Sequence, residues 1–152
     1  MVEHALKLRA AAERRARAEG DVNLRYNEVW CATDVDDIAL STVEEAARLA
    51  EAEGIGFALS HPCIELWLLL HFRDSPGARH RDELGRLLRG FVVGYNKHIA
   101  FECFQGGYAK AVRRARLLER DAEGRGEPRR NPSTGFHRLT ESIRGEAPLP
   151  DP

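Results

Sequence analysis

The sequence predicts an α/β fold, a small parallel sheet flanked by helices with a helix-rich C-terminal half. Three observations predict it. Residues 28–34 and 55–60 are short apolar runs, rich in β-branched or bulky side chains and without helical spacing, so both read as strands. Between them Val43, Ala46, Ala47, Leu49 and Ala50 make one apolar helical face, which completes a βαβ unit. Such a unit has parallel strands and a right-handed crossover. Beyond residue 61 the patterning is helical almost throughout.

Residues 3–19 are rich in the helix formers Ala, Leu, Arg and Glu, and Gly20 supplies a stop. The strand at 28–34 runs into an acidic loop. Thr42 is placed to cap the crossover helix, which Gly54 ends. The stretch HPCIELWLLLHF, residues 61–72, puts Pro62 in a first helical turn and is apolar nearly all round, so it predicts a buried helix. Residues 81–89 predict a short amphipathic helix, 90–104 carry no decisive period, and Gly106 and Gly107 precede a helix over 108–122. Residues 124–132 form a Gly/Arg/Pro-rich loop, Pro132 opens a last helix over 133–144, and 145–152 make a flexible tail. The reading is of one domain over residues 1–144. Two strands are too few for an independent sheet. A further strand is therefore expected, hidden in residues 90–104, carried by a longer N-terminus, or supplied by a second subunit.

Composition narrows the function classes. A chain of 152 residues with 43% apolar and 31% charged content suits one soluble globular core. Lys and Arg number 23 against 24 Asp and Glu, so bulk charge neither demands nor excludes nucleic acid. Cys31, Cys63 and Cys103 are odd in number and widely spaced, which points away from a disulfide framework or a CxxC metal site and fits a reducing cytoplasm. No apolar run approaches a membrane span and no secretory signal opens the chain. The expectation is a cytoplasmic protein.

The chemistry-bearing stretch is VWCATDVDD, residues 29–37, an apolar strand that runs straight into carboxylates. In open α/β sheets ligands collect beyond the carboxyl ends of the strands, where Asp34, Asp36 and Asp37 fall. The helix after the second strand starts at the same edge and brings Glu65 toward them. Converging carboxylates repel unless a proton or cation neutralises them, and magnesium or manganese suits oxygen-only ligands. An ion there would activate water and stabilise charge on a phosphodiester. Asp after a strand is also an ordinary turn former and cap, and Glu65 in a first helical turn satisfies free N–H groups, so those structural roles stay open. Lys97 in GYNKH is placed to approach phosphate. Residues 113–130 hold seven arginines against four acids, a balance that also describes a solvated helix. Arg125, Arg129 and Arg130 stand apart from it, in a flexible loop next to the predicted helix start, and form the second candidate site, for nucleic acid.

Taken in order, VWCATDVDD, LSHPCIELWLLLHF, GYNKH, AVRRARLL and NPSTGFHRLTESI resemble the RloB family of bacterial anti-phage and restriction-linked proteins. The resemblance spans residues 25–144, and its most specific part is the Pro-Cys-aliphatic-Glu-Leu-Trp run. It implies a Toprim-like, that is Rossmann-like, domain, a magnesium-dependent nuclease function in abortive infection, and a partner ATPase of the ABC class. By motif Asp34 and Asp36 carry over as metal ligands, with Asp37 beside them. The Toprim-like glutamate of a preceding strand has no counterpart, which implies a domain shortened at its N-terminus. His61 stands for an expected asparagine and Ile64 for a phenylalanine.

Three readings follow. The first is a magnesium-dependent nuclease with Asp34, Asp36, Glu65 and Lys97 in catalytic roles. The second is a noncatalytic Toprim-like subunit that binds a partner ATPase, DNA or RNA, or another copy of itself, which the absent glutamate favours. A small module binding nucleic acid through residues 113–130 is a third reading.

Overall fold

The computed structural model describes residues 1–35, 38–98 and 100–145. Within them the elements are α1 (Val2–Glu19), β1 (Trp30–Asp34), α2 (Leu40–Ala52), β2 (Gly56–His61), α3 (Glu65–Leu70), α4 (Arg81–Arg89), α5 (Glu102–Gln105), α6 (Tyr108–Gly124), β3 (Ser133–Thr134) and α7 (Phe136–Arg144). The α/β class and its parallel pair are as the sequence predicts. Gly56 N–H donates to the Val29 carbonyl at 2.8 Å and Val35 N–H to the Ser60 carbonyl at 3.0 Å, so partner numbers rise together along β1 and β2.

The third strand is the departure. The sheet runs in the order β1-β2-β3, and β3 pairs antiparallel to β2, with Ser60 opposite Thr134 and His61 opposite Ser133. This strand comes from the stretch expected to open the last helix. The Ser60 and Thr134 hydroxyls lie 2.8 Å apart and buried, and Gly135 N–H donates to the Leu59 carbonyl at 2.7 Å, so cross-strand hydrogen bonds hold these residues extended. The last helix consequently starts at Phe136, not 133. Among the described residues of 90–104 there is no strand; they form turns and α5.

The chain divides into two compact units. The first comprises Met1–Ala32 with Ile38–Ala58. Its core gathers Val2, Ala5, Cys31, Ala50 and Ile55. Arg9 donates to the Glu53 carbonyl at 2.7 Å and fastens α1 to the end of α2. Gly20 ends α1 in the left-handed region at φ 66°, where a side chain would be strained. Gly56 meets the Trp30 ring so closely that no Cβ fits. Thr42 is not the cap of α2; the helix starts two residues earlier, after Ala39, with no side-chain cap.

The second unit comprises Thr33–Asp37 and the chain from Leu59 onward. Every residue of α3 is buried. Trp67, Leu68 and Leu70 pack with Leu88, Val92, Tyr95, Phe104, Ala111, Val112 and Ala115, while Leu66 and Leu69 pack with Cys63 and Leu84. Each such leucine contributes about 1.5–3 kcal/mol by leaving water. Alanines on α6 and Gly107, whose Cβ would strike the His71 backbone, let α6 approach closely. The expected helix over 61–72 is shorter than its apolar run: Pro62 stands before α3, after a cis peptide from His61, and not in its first turn. All three cysteines are free. No helix among the described residues is long and apolar enough to cross a membrane.

Candidate functional site

Within the second unit, four segments meet around a cleft of about 660 Å³. The end of β1 supplies Asp34, and the turn after β2 with the first turn of α3 supplies Cys63 and Glu65. Helix α4 supplies Arg81, Asp82, Arg86 and Arg89, and the following segment supplies Tyr95, Asn96 and Lys97. Parallel pairing explains half of this arrangement, because it brings the carboxyl ends of β1 and β2 to one edge. The start of α4 is fixed by a reciprocal cap, in which His80 accepts from the Asp82 N–H and Glu83 accepts from the His80 N–H.

The floor is a buried carboxylate network. Glu65 is only 8% exposed, and Tyr95 Oη donates to its Oε1 at 3.2 Å. Burial pushes the Cys63 thiol up to about 12, helped by a hydrogen bond to Glu65 and by the negative charges of Glu65 and Asp34. Burial likewise pushes the Tyr95 phenol up to about 12, with Glu65, Cys63 and Asp34 contributing. Both groups therefore stay protonated at neutral pH, and the Tyr95 hydroxyl serves Glu65 as a donor. That Asp34 acts on both groups puts it in the same electrostatic neighbourhood as Glu65.

The wall is cationic. Arg81, Arg86, Arg89 and Lys97 line the cleft against the acids Asp34, Glu65 and Asp82. Lys97 holds a left-handed backbone at φ 71°, which is uncommon outside glycine and costs on the order of 1 kcal/mol. Asn96 steadies the turn by accepting from the His98 N–H at 3.3 Å.

Of the residues singled out by sequence, Asp34, Glu65 and Lys97 share this cleft. Asp36 and Asp37 lie outside the described residues. Arg125, Arg129 and Arg130 are not part of it. Arg125 pairs with Asp121 at 2.9 Å and Arg130 pairs with Glu127, and both arginines line a separate hollow of about 440 Å³. Arg129 accepts at its carbonyl from His61 Nδ1 at 2.9 Å. The helix start that would have offered this loop free N–H groups is displaced to Phe136, whose own N–H donates to Thr134 Oγ1. Cys63, Tyr95 and the α4 arginines join the site unannounced by sequence. Two signals for them exist in the chain: Tyr95 stands inside the GYNKH motif, and α4 carries Arg81, Arg86 and Arg89 in one short helix.

The donor set suits a hard divalent cation in part. Asp34 and Glu65 both line one cleft, and magnesium keeps several of its own waters while taking one or two carboxylates. No group of three His, Cys, Asp or Glu side chains able to hold a metal occurs among the described residues. The arrangement thus fits a two-carboxylate seat open to water and substrate, next to a guanidinium wall that suits phosphate.

A protein-family model described as RloB-like protein matches residues 1–143. No curated protein and no solved structure matches the chain.

Proposed function

The chain belongs to the RloB-like family, and on that footing we propose that it is a Toprim-like, magnesium-dependent nuclease of anti-phage defence whose site is the Asp34–Glu65 cleft. The observation that carries this reading is the meeting of two carboxylates, Asp34 and Glu65, with Arg81, Arg86, Arg89 and Lys97 in one cleft. A magnesium or manganese ion bound there supplies Lewis acidity and an activated water. Asp34 and Glu65 would hold it, together with Asp36 and Asp37, the acids that follow Asp34 in the sequence. Tyr95 keeps the Glu65 carboxylate oriented by donating to it. The α4 guanidinium groups and Lys97 bind the phosphodiester, orient it over the carboxylates and balance the charge that grows on its oxygens.

A second reading is a noncatalytic Toprim-like subunit that uses the same fold to bind an ABC-type ATPase, nucleic acid or another copy of itself. The observation in its favour is that Glu65 already takes a hydrogen bond from Tyr95. The two readings separate in a cleavage assay on DNA and RNA oligonucleotides with magnesium or manganese, using the chain and its Asp34→Asn and Glu65→Gln variants. The nuclease reading expects metal-dependent cleavage lost in Asp34→Asn and strongly reduced in Glu65→Gln. Cleavage that survives Asp34→Asn, or none by the unaltered chain with its ATPase partner present, contradicts it.

A further inference from the structure

Gly85 is the central residue of α4 and lines the Asp34–Glu65 cleft. A glycine inside a helix destabilises it, because glycine loses more freedom on folding than alanine does. Elsewhere in this chain a glycine answers a structural demand: a left-handed turn at Gly20, the Trp30 ring against Gly56, the His71 backbone against Gly107. Gly85 answers none of these. Its backbone is helical, and α4 packs inward through Leu84 and Leu88. Beyond its own turn of helix and its chain neighbours, a Cβ there would meet only Arg89 Nη1, at 3.8 Å, which is ordinary contact. Alanine therefore fits, and the space left empty belongs to the cleft.

The groups that border this gap indicate what fills it. Arg89 folds back toward Gly85, and Arg86 folds back one turn to donate its Nε–H to the Asp82 carbonyl at 3.4 Å. Both guanidinium groups thus lie along the turn that holds Gly85. Asp82, the acid that α4 gives the cleft, sits beside His80. We propose that a backbone phosphate of the nucleic-acid substrate packs directly on the bare helix at Gly85, within reach of Arg86 and Arg89, which makes Gly85 a specificity-determining residue. The inference rests on the nuclease reading and deepens it. A phosphate takes forked hydrogen bonds from guanidinium groups only when it comes down to their level. A side chain at position 85 would occupy that place and lift the phosphate away from the arginines and from the carboxylates of the same cleft.

The test measures urea unfolding of the full chain and its affinity for a labelled DNA or RNA oligonucleotide by fluorescence anisotropy, with calcium replacing magnesium so that binding is read without turnover. Gly85→Ala and Gly85→Leu are the variants. Gly124→Ala is the control, at a helical glycine with open space around it and outside the cleft. The expected result is a higher urea midpoint in Gly85→Ala, because alanine is the better helix former. Affinity should nevertheless fall about threefold in Gly85→Ala and about tenfold or more in Gly85→Leu, and stay unchanged in Gly124→Ala. A lower midpoint in Gly85→Ala overturns the inference, because the fold itself would then need the glycine. Unchanged affinity in Gly85→Leu overturns it too, as does an equal loss in Gly124→Ala. If Asp34→Asn still abolishes cleavage in those cases, the nuclease reading stands without the Gly85 contact. Affinity lost in Gly85→Leu with cleavage intact in Asp34→Asn keeps the contact and removes the nuclease reading. An unaltered chain that binds no oligonucleotide removes both.

Discussion

In the cleft, Glu65 is buried and takes a hydrogen bond from Tyr95, while in the loop before β3, Arg125 and Arg130 are largely exposed and pair with acids on their own stretch of chain. Both regions are dense in charge, and the sequence marks both. What separates them is solvent. Desolvation around Glu65 strengthens each interaction and pushes Cys63 and Tyr95 up to about 12. Water and salt screen the arginine loop, where ion pairs of this kind contribute little. A cluster of ionisable residues points to chemistry when burial forces its members to depend on one another, and the cleft meets that condition.

The comparison breaks most severely from beneath. Leu66 and Leu70 are fully buried on the helix that carries Glu65, so Leu66→Ala is expected to cost about 2–5 kcal/mol in a urea melt. A loss below about 1 kcal/mol would mean that α3 is not the rigid support described here. Next comes Asp34→Asn, expected to lower metal-dependent cleavage by about 100-fold or more while leaving the melting temperature nearly unchanged. Tyr95→Phe removes the donor to Glu65 Oε1 and should cost about 0.5–1.5 kcal/mol of stability, with a smaller loss of cleavage than Asp34→Asn.

The pH dependence sharpens the same contrast. The ordinary values of the Cys63 thiol and Tyr95 phenol are 9.0 and 10.0, and both rise to about 12 in the folded chain. The folded state therefore holds protons that the unfolded chain releases. The resulting stability is complete below about pH 9 and is lost as pH climbs toward about 12. Urea midpoints measured across that window should fall, and the fall should lessen in Cys63→Ala and Tyr95→Phe. A cysteine reagent at mildly alkaline pH should label exposed Cys103 well before Cys63. The smallest effect belongs to the loop: Arg125→Ala and Arg130→Ala should change cleavage less than about twofold, against a clearly larger loss for Arg86→Ala or Arg89→Ala. Equal losses in the two sets would erase the distinction.

The parts of this molecule legible in its sequence are those whose signal is local. α1 and α4 follow helical periodicity nearly residue for residue, and β1 ends at Asp34, where the apolar run meets the first carboxylate. Strand β3 carries no such signal. It is two hydroxyl residues long, and what holds it extended is Ser60, 74 residues earlier in the chain. α3 is shortened because Pro62, Cys63 and Ile64 form the turn before it, although their apolar character continues the pattern. The same physics governs the site. Asp34, Glu65 and Lys97 stand out by residue type and by motif, whereas Tyr95 acquires its role from Glu65, 30 residues away. The cationic wall on α4 reads in sequence as a solvated amphipathic face, and only the segment packed opposite turns it into one side of a cleft.

The central claim is that Asp34 and Glu65 hold a divalent cation together. Calorimetric titration of magnesium and of manganese into the full chain, with Asp34→Asn and Glu65→Gln run in parallel, tests it directly. Saturable binding that weakens at least about tenfold in each single variant is the predicted result. Binding of equal strength in all three proteins would contradict the account, because the cation would then sit somewhere other than the cleft.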